Sequence, residues 1–170
     1  MGWKNVKDHY RIGHFIRVTE EGICIGSSYI HNIIVIGLDG TLTTREERSC
    51  NEDLRRYMAE FDADPETLKR LVATPDTFEK SLPVFTYDGG DILEKQCEEY
   101  GWPNVTHDGD MMFDNTFSKS RTKVVKWAKE NAAAGVRLRE ERLERIKGEL
   151  AEAEADLATA REDVRKLAAL

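Results

Sequence analysis

Leu143, Ile146, Leu150, Ala153, Leu157, Ala160, Val164 and Leu167 follow one another at steps of 3, 4, 3, 4, 3, 4 and 3, a strict a/d heptad. A period of about 3.5 residues holds one apolar seam on one side of a helix and winds it left-handedly about a partner. Residues 136–170 are therefore expected to form one amphipathic helix, roughly 50 Å long at about 1.5 Å per residue. A helix of that length outruns the small domain left by the remainder of the chain. The eight apolar positions are the expected oligomerisation interface. Their flanks leave orientation open. A parallel pair opposes Arg142 with Lys147 and Glu149 with Glu154 and matches only Asp156 with Arg161. An antiparallel pair matches Arg142 with Asp163 but opposes Glu149 with Asp156. The expected partner is a second copy, a different helix, or the domain itself through a fold-back.

The preceding residues read as β first and α afterwards. Residues 14–18 alternate like a strand, Glu20-Glu21-Gly22 is a turn, and Ile23–Gly26 returns. Tyr29-Ile30 and then Ile33–Ile36 make an apolar run suited to a central strand. Asp39-Gly40 is a hairpin dipeptide with 41–45 as its return. Asn51 caps a helix over 52–61 whose Leu54, Tyr57, Met58 and Phe61 share a face. Asp64-Pro65 and Thr74-Pro75 each predict a helix with proline at its first position, over 65–73 and 75–80. Leu82–Tyr87 is extended, Asp91 caps a helix reaching Tyr100 with Gly101 beyond its end, and Asp108-Gly109 centres a second hairpin returning through Met111–Phe113. Ser118 caps a basic helix from Lys119 to about Ala134, with near-continuous helix through Gly135 favoured over a kink or a turn. The fold class is α+β: an N-terminal antiparallel β-meander with several short helices, then a long coiled-coil-type helix. Its parts are a domain over 1–117, a basic connecting helix over 118–135 and the heptad helix over 136–170.

Charge is unevenly distributed along the 170 residues. Residues 45–114 carry 18 acidic and 8 basic side chains, whereas 117–130 carry Lys119, Arg121, Lys123, Lys126 and Lys129 against Glu130. Such a split either steers a charged partner or marks two solvated faces of one domain. The apolar Val124, Val125, Ala128 and Ala132 are expected to dock the basic helix, which makes nucleic-acid binding the weaker reading of its lysines. No run reaches the ~18 apolar residues of a membrane span, and the opening residues have no apolar leader core. Cys24, Cys50 and Cys97 are odd in number and lack metal-site spacing, as expected of free buried thiols in a reducing cytoplasm.

Two motifs invite chemistry. Residues 33–42, IIVIGLDGTL, resemble the first motif of the haloacid-dehalogenase-type hydrolases, an apolar strand followed by Asp-x-Asp-Gly-Thr. There the first aspartate is the nucleophile, and Gly37 stands in its place here, so only Asp39 matches. Glycine has no side chain to attack phosphorus or hold a metal. His107, Asp108, Asp110 and Asp114 are the densest set of candidate ligands, suited by type to Mg²⁺ or Mn²⁺. A hairpin turn with solvated acids explains the same residues without a metal. No cofactor and no catalytic residue is expected.

The segments YIHNIIVIGLDG (29–40) and EEYGWPNVTHDG (98–109), with a charged helical C-terminus, resemble small proteins found in tailed-bacteriophage genomes. That resemblance implies a virion component or an accessory factor at work inside an infected bacterium, in the host cytoplasm or the particle. The expected function is non-enzymatic self-association and protein binding through the coiled coil. The alternative is a phage inhibitor that meets a host or defence protein through its acidic surface, and a metal-dependent hydrolase stands third.

Overall fold

The computed structural model describes residues 2–27, 29–45 and 51–169 and divides the chain into two compact units, Met1–Val125 and Lys126–Leu170. The chain is α+β, and the described residues hold an antiparallel sheet near the N-terminus, three short helices and one long C-terminal helix.

The first unit begins with α1 (Trp3–His9), an element the sequence reading omits. Its signal was the spacing of Trp3, Val6 and Tyr10, three residues and then four, and all three side chains are buried. Strands β1 (Phe15–Thr19), β2 (Gly22–Gly26), β3 (Ile34–Ile36) and β4 (Leu42–Thr44) form one antiparallel sheet in sequence order, the expected meander. Thr19 pairs with Gly22 across the Glu20-Glu21 turn, and Ile23 pairs with Ile36. Tyr29 and Ile30 do not extend the central strand: Tyr29 is 94% exposed. Ser27 takes them into a turn, its N–H donating to the Ile30 carbonyl at 2.7 Å and its hydroxyl accepting the Ile30 N–H at 3.0 Å.

Two capped helices cover the sheet's core. In α2 (Glu52–Ala63) the Asn51 side chain accepts the N–H groups of Asp53 and Leu54, and Leu54, Tyr57, Met58 and Phe61 are buried. In α3 (Pro65–Ala73) the Asp64 carboxylate accepts the Thr67 N–H at 3.0 Å. Both N-caps stand where the sequence placed them. Val6 and Tyr10 of the N-terminal segment, Ile23, Ile25, Ile34 and Ile36 of the sheet, and Phe61 and Leu68 of the two helices meet in one apolar cluster.

Two expected helices are absent. Residues 75–80 are irregular. Asp76 turns inward and its carboxylate accepts the Asn5 N–H at 2.8 Å. Phe78 lies flat on the His107 ring, 3.7 Å between centroids and 6° between planes. The segment is thus spent on tying α1 to a distant turn. Residues 91–100 likewise do not make a capped helix: β5 (Leu82–Asp88) and β6 (Asp91–Cys97) pair antiparallel, Asp88 with Asp91. The Gly89-Gly90 dipeptide, with Gly89 at φ 54°, closes a two-residue hairpin. That turn signal, with the alternation of β5, outweighs the helix-favouring Leu, Glu, Lys and Gln of the return strand. The Asp108-Gly109 turn exists, but its return is the single bridge Val105–Met111 rather than a strand. Phe85 and Ser118 exchange backbone hydrogen bonds at 2.9 and 3.0 Å. That pair aligns the entry to α4 (Arg121–Ala168), where Ser120 rather than Ser118 accepts the first-turn N–H, from Lys123. Cys24 and Cys97 are free and buried, and Cys50 lies outside the described residues.

The second unit is helix from Lys126 to Ala168, the greater part of α4, which runs for 48 residues, about 72 Å. Gly135 and Gly148 do not break it. Beside Gly135 the run Ala132–Ala134 supplies the strongest helix formers, and Arg139 donates to the Gly135 carbonyl at 3.1 Å. Farther along, Arg145–Glu149, Lys147–Glu144 and Arg165–Glu162 pair at 2.6, 2.7 and 2.9 Å, each contributing a few tenths of a kcal/mol.

Candidate functional site

Along α4 the eight heptad residues all remain exposed. Leu143 keeps 52% of its surface in contact with solvent, Leu150 57%, Leu157 49% and Leu167 69%. Val136, one heptad before Leu143, is exposed as well. A straight helix of about 3.6 residues per turn drifts roughly 20° per heptad from a 3.5-residue repeat. The seam therefore winds slowly about α4, and a helix packed along it would have to coil to follow it.

The surface of the seam is uneven. Leu157, Ala160, Arg161, Val164 and Arg165 line a shallow depression of about 420 Å³, with small Ala160 set between two larger apolar side chains. Leu157, Ala160, Arg161 and Val164 occupy positions a, d, e and a. That is the set of four that receives a knob in coiled-coil packing.

The ligand-like residues of the first unit have other occupations. The Lys95 ammonium sits between Asp108 and Asp110, bonded to a carboxylate oxygen of each. The Thr106 hydroxyl also donates to Asp108, and the Asp110 N–H donates to Thr106 Oγ1 at 2.9 Å. His107 stacks on Phe78, its Nε2 lies 3.0 Å from the Lys80 carbonyl, and its own carbonyl accepts the Trp3 indole N–H at 2.8 Å. Asp114 does not join them. Among the described residues no three His, Cys, Asp or Glu side chains converge as a metal site would require. Lys95 is the residue the sequence reading missed. It lies in a segment whose side chains favour helix, and strand pairing places it opposite the acidic turn.

Partial burial works against charge at both Lys95 and Asp108. Their hydrogen bonds outweigh it, raising the lysine above its ordinary range and holding the Asp108 carboxyl below its own. A carboxyl whose folded pKa lies below the unfolded value of about 3.9 lends stability above that value and loses it as pH falls through the folded pKa. Lys95→Met is therefore expected to lower stability at neutral pH by about 1 kcal/mol, a figure kept small by solvent screening. It should also flatten the loss of stability below about pH 4. Urea midpoints at pH 7 and pH 3 measure both effects. An acid limb as steep as in the parent chain would show that the bridge does not hold the turn.

Asp39 serves its own turn: the hydroxyl and the N–H of Thr41 both donate to it, and they hold its carboxyl below the ordinary range. Part of the acidity of 45–114 is also answered locally, by Arg45 with Asp62, Arg56 with Glu60 and Lys69 with Glu66. No helix among the described residues is long and apolar enough to cross a membrane.

No protein-family model, curated protein or solved structure matches the chain.

Proposed function

We propose that the protein works by association, its α4 helix pairing along Leu143, Ile146, Leu150, Ala153, Leu157, Ala160, Val164 and Leu167, and that its first partner is a second copy of itself. The observation that carries this reading is an uninterrupted helix that leaves every one of these apolar positions in water. An isolated solvated helix gains nothing from a strict seam, whereas two helices bury it at about 25 cal/mol per Å² of apolar surface. The reading is non-enzymatic. The acids that most resemble a metal site are engaged by Lys95, and Asp39 is engaged by Thr41.

The resemblance of residues 29–40 and 98–109 supports placing the protein among tailed-bacteriophage products, as a virion component or an accessory factor in the host cytoplasm. Static light scattering of the full chain over a wide concentration range tests the association. The expected mass is twice the 19.4 kDa of one chain, and a mass of 19.4 kDa throughout overturns it.

A further inference from the structure

We infer that the two copies run antiparallel, centred between residues 151 and 152, with Leu143 of each seated over Ala160 of the other. This rests on the self-association proposed above and adds its geometry.

The sizes of the seam residues carry the inference. The large residues Leu143, Leu150, Leu157 and Val164 occupy a, while the d series Ile146, Ala153, Ala160, Leu167 is small in its middle. In a parallel, in-register pair each residue faces its own counterpart. The depression at Ala160 would then receive only the methyl group of Ala160 of the second copy. Ala153 would face Ala153 one heptad earlier, and two consecutive d layers would be left thin.

An antiparallel pair sets a against d. With the stated centre, Leu143 enters the depression at Ala160, Leu150 covers Ala153, and Ile146 meets Leu157. Every layer then contains at least one large side chain, as a well-filled core requires.

Arg139 adds a second constraint. It occupies the d position before Leu143, at the edge of the apolar run. The parallel arrangement puts two guanidinium groups side by side in the seam. The antiparallel one separates them, setting each Arg139 against Val164 of the other copy with Asp163 alongside. A stagger of one heptad, centred near residue 155, also avoids facing alanines. It leaves Arg139 beyond the overlap, however, and brings Lys147 level with Arg161 and Asp156 level with itself. In the parallel pair two flank contacts repel and one attracts. With the antiparallel centre Arg142–Asp163, Lys147–Glu154 and Glu140–Arg161 attract and only Glu149–Asp156 repels, so the flanks point the same way as the core and Arg139.

Double electron–electron resonance on the full chain tests this. One nitroxide per chain is placed at Glu141, Glu152 or Glu162 through a ketone-bearing amino acid, which leaves the native thiols untouched. The antiparallel pair predicts equal, long separations at 141 and 162, with about 30 Å of axial offset at about 1.5 Å per residue. It predicts a short separation at 152, close to the interaxial distance plus the label arms. Short separations at all three sites mean a parallel pair and overturn the inference while self-association stands. Unequal separations at 141 and 162 mean a different stagger and overturn the pairing of Leu143 with Ala160. Absence of any dipolar coupling, together with a mass of 19.4 kDa, overturns the self-association itself.

Discussion

Gly22→Ala is expected to destabilise the first unit by about 3–5 kcal/mol, through backbone strain and overpacking together. Gly22 opens β2 at φ 130°, a conformation that side chains rarely adopt. A Cβ there would stand 2.1 Å from the Ile36 carbonyl oxygen and 2.9 Å from its carbon. Ile36 cannot retreat, because it is fully buried and paired with Ile23 in the middle of the sheet. Gly89→Ala is the matching control. Gly89 also has positive φ, but nothing lies within 4 Å of its added Cβ. Only conformational cost remains there, about 1–2 kcal/mol. Against a typical domain stability of about 5–15 kcal/mol, the first change should lower the urea midpoint by a large fraction of its value and the second only modestly. Equal midpoints for the two variants would refute the steric account.

The second large effect lies in the seam. Leu150→Glu combined with Leu157→Glu should leave the first unit's urea midpoint unchanged and return the chain to monomer. Each buried leucine contributes about 1.5–3 kcal/mol, and both substitutions occur twice in a pair. The loss is at least about 6 kcal/mol, which weakens association by more than about 10⁴-fold. Glutamate is nearly as good a helix former as leucine, so the cause would be the lost seam rather than a broken helix. Ala155→Glu places the same charge on the opposite face and should leave the mass unchanged. Sedimentation equilibrium separates these outcomes, and a double variant that still weighs as a pair would mean that some other surface holds the copies together.

The parts of the fold that could be read from the sequence are those whose signals are local. The Asn51 and Asp64 caps, the Asp39-Gly40 hairpin and the heptad each draw on residues within one or two turns of chain. The misread parts were decided at a distance. Residues 91–97 have helix-favouring side chains, and only pairing with 82–88 makes them a strand. Residues 75–80 begin like a helix, yet Asp76 is held by Asn5 and Phe78 by His107, contacts that no spacing announces. The candidate surface follows the same division. Its eight residues are legible because a heptad is local, whereas the depression at Ala160 emerges only from side-chain volumes on a continuous helix. Lys95 became visible only with the strand that carries it.

The turn at residues 106–109 has a consequence in time. Its His107 carbonyl accepts from Trp3, its His107 N–H donates to Gln96, and its Gly109 carbonyl accepts from Val18. The first of these links closes a loop of 104 residues, and closing so long a loop carries an entropic cost that nearby contacts do not offset until late. A ribosome makes the chain from its N-terminus, so the meander and α1 must wait for residue 109 before their last fastenings exist. The seam from Leu143 to Leu167 is made later still. Translation order thus allows the first unit to finish before the apolar seam is complete, so that the proposed pairing would begin from folded domains rather than from tangled chains.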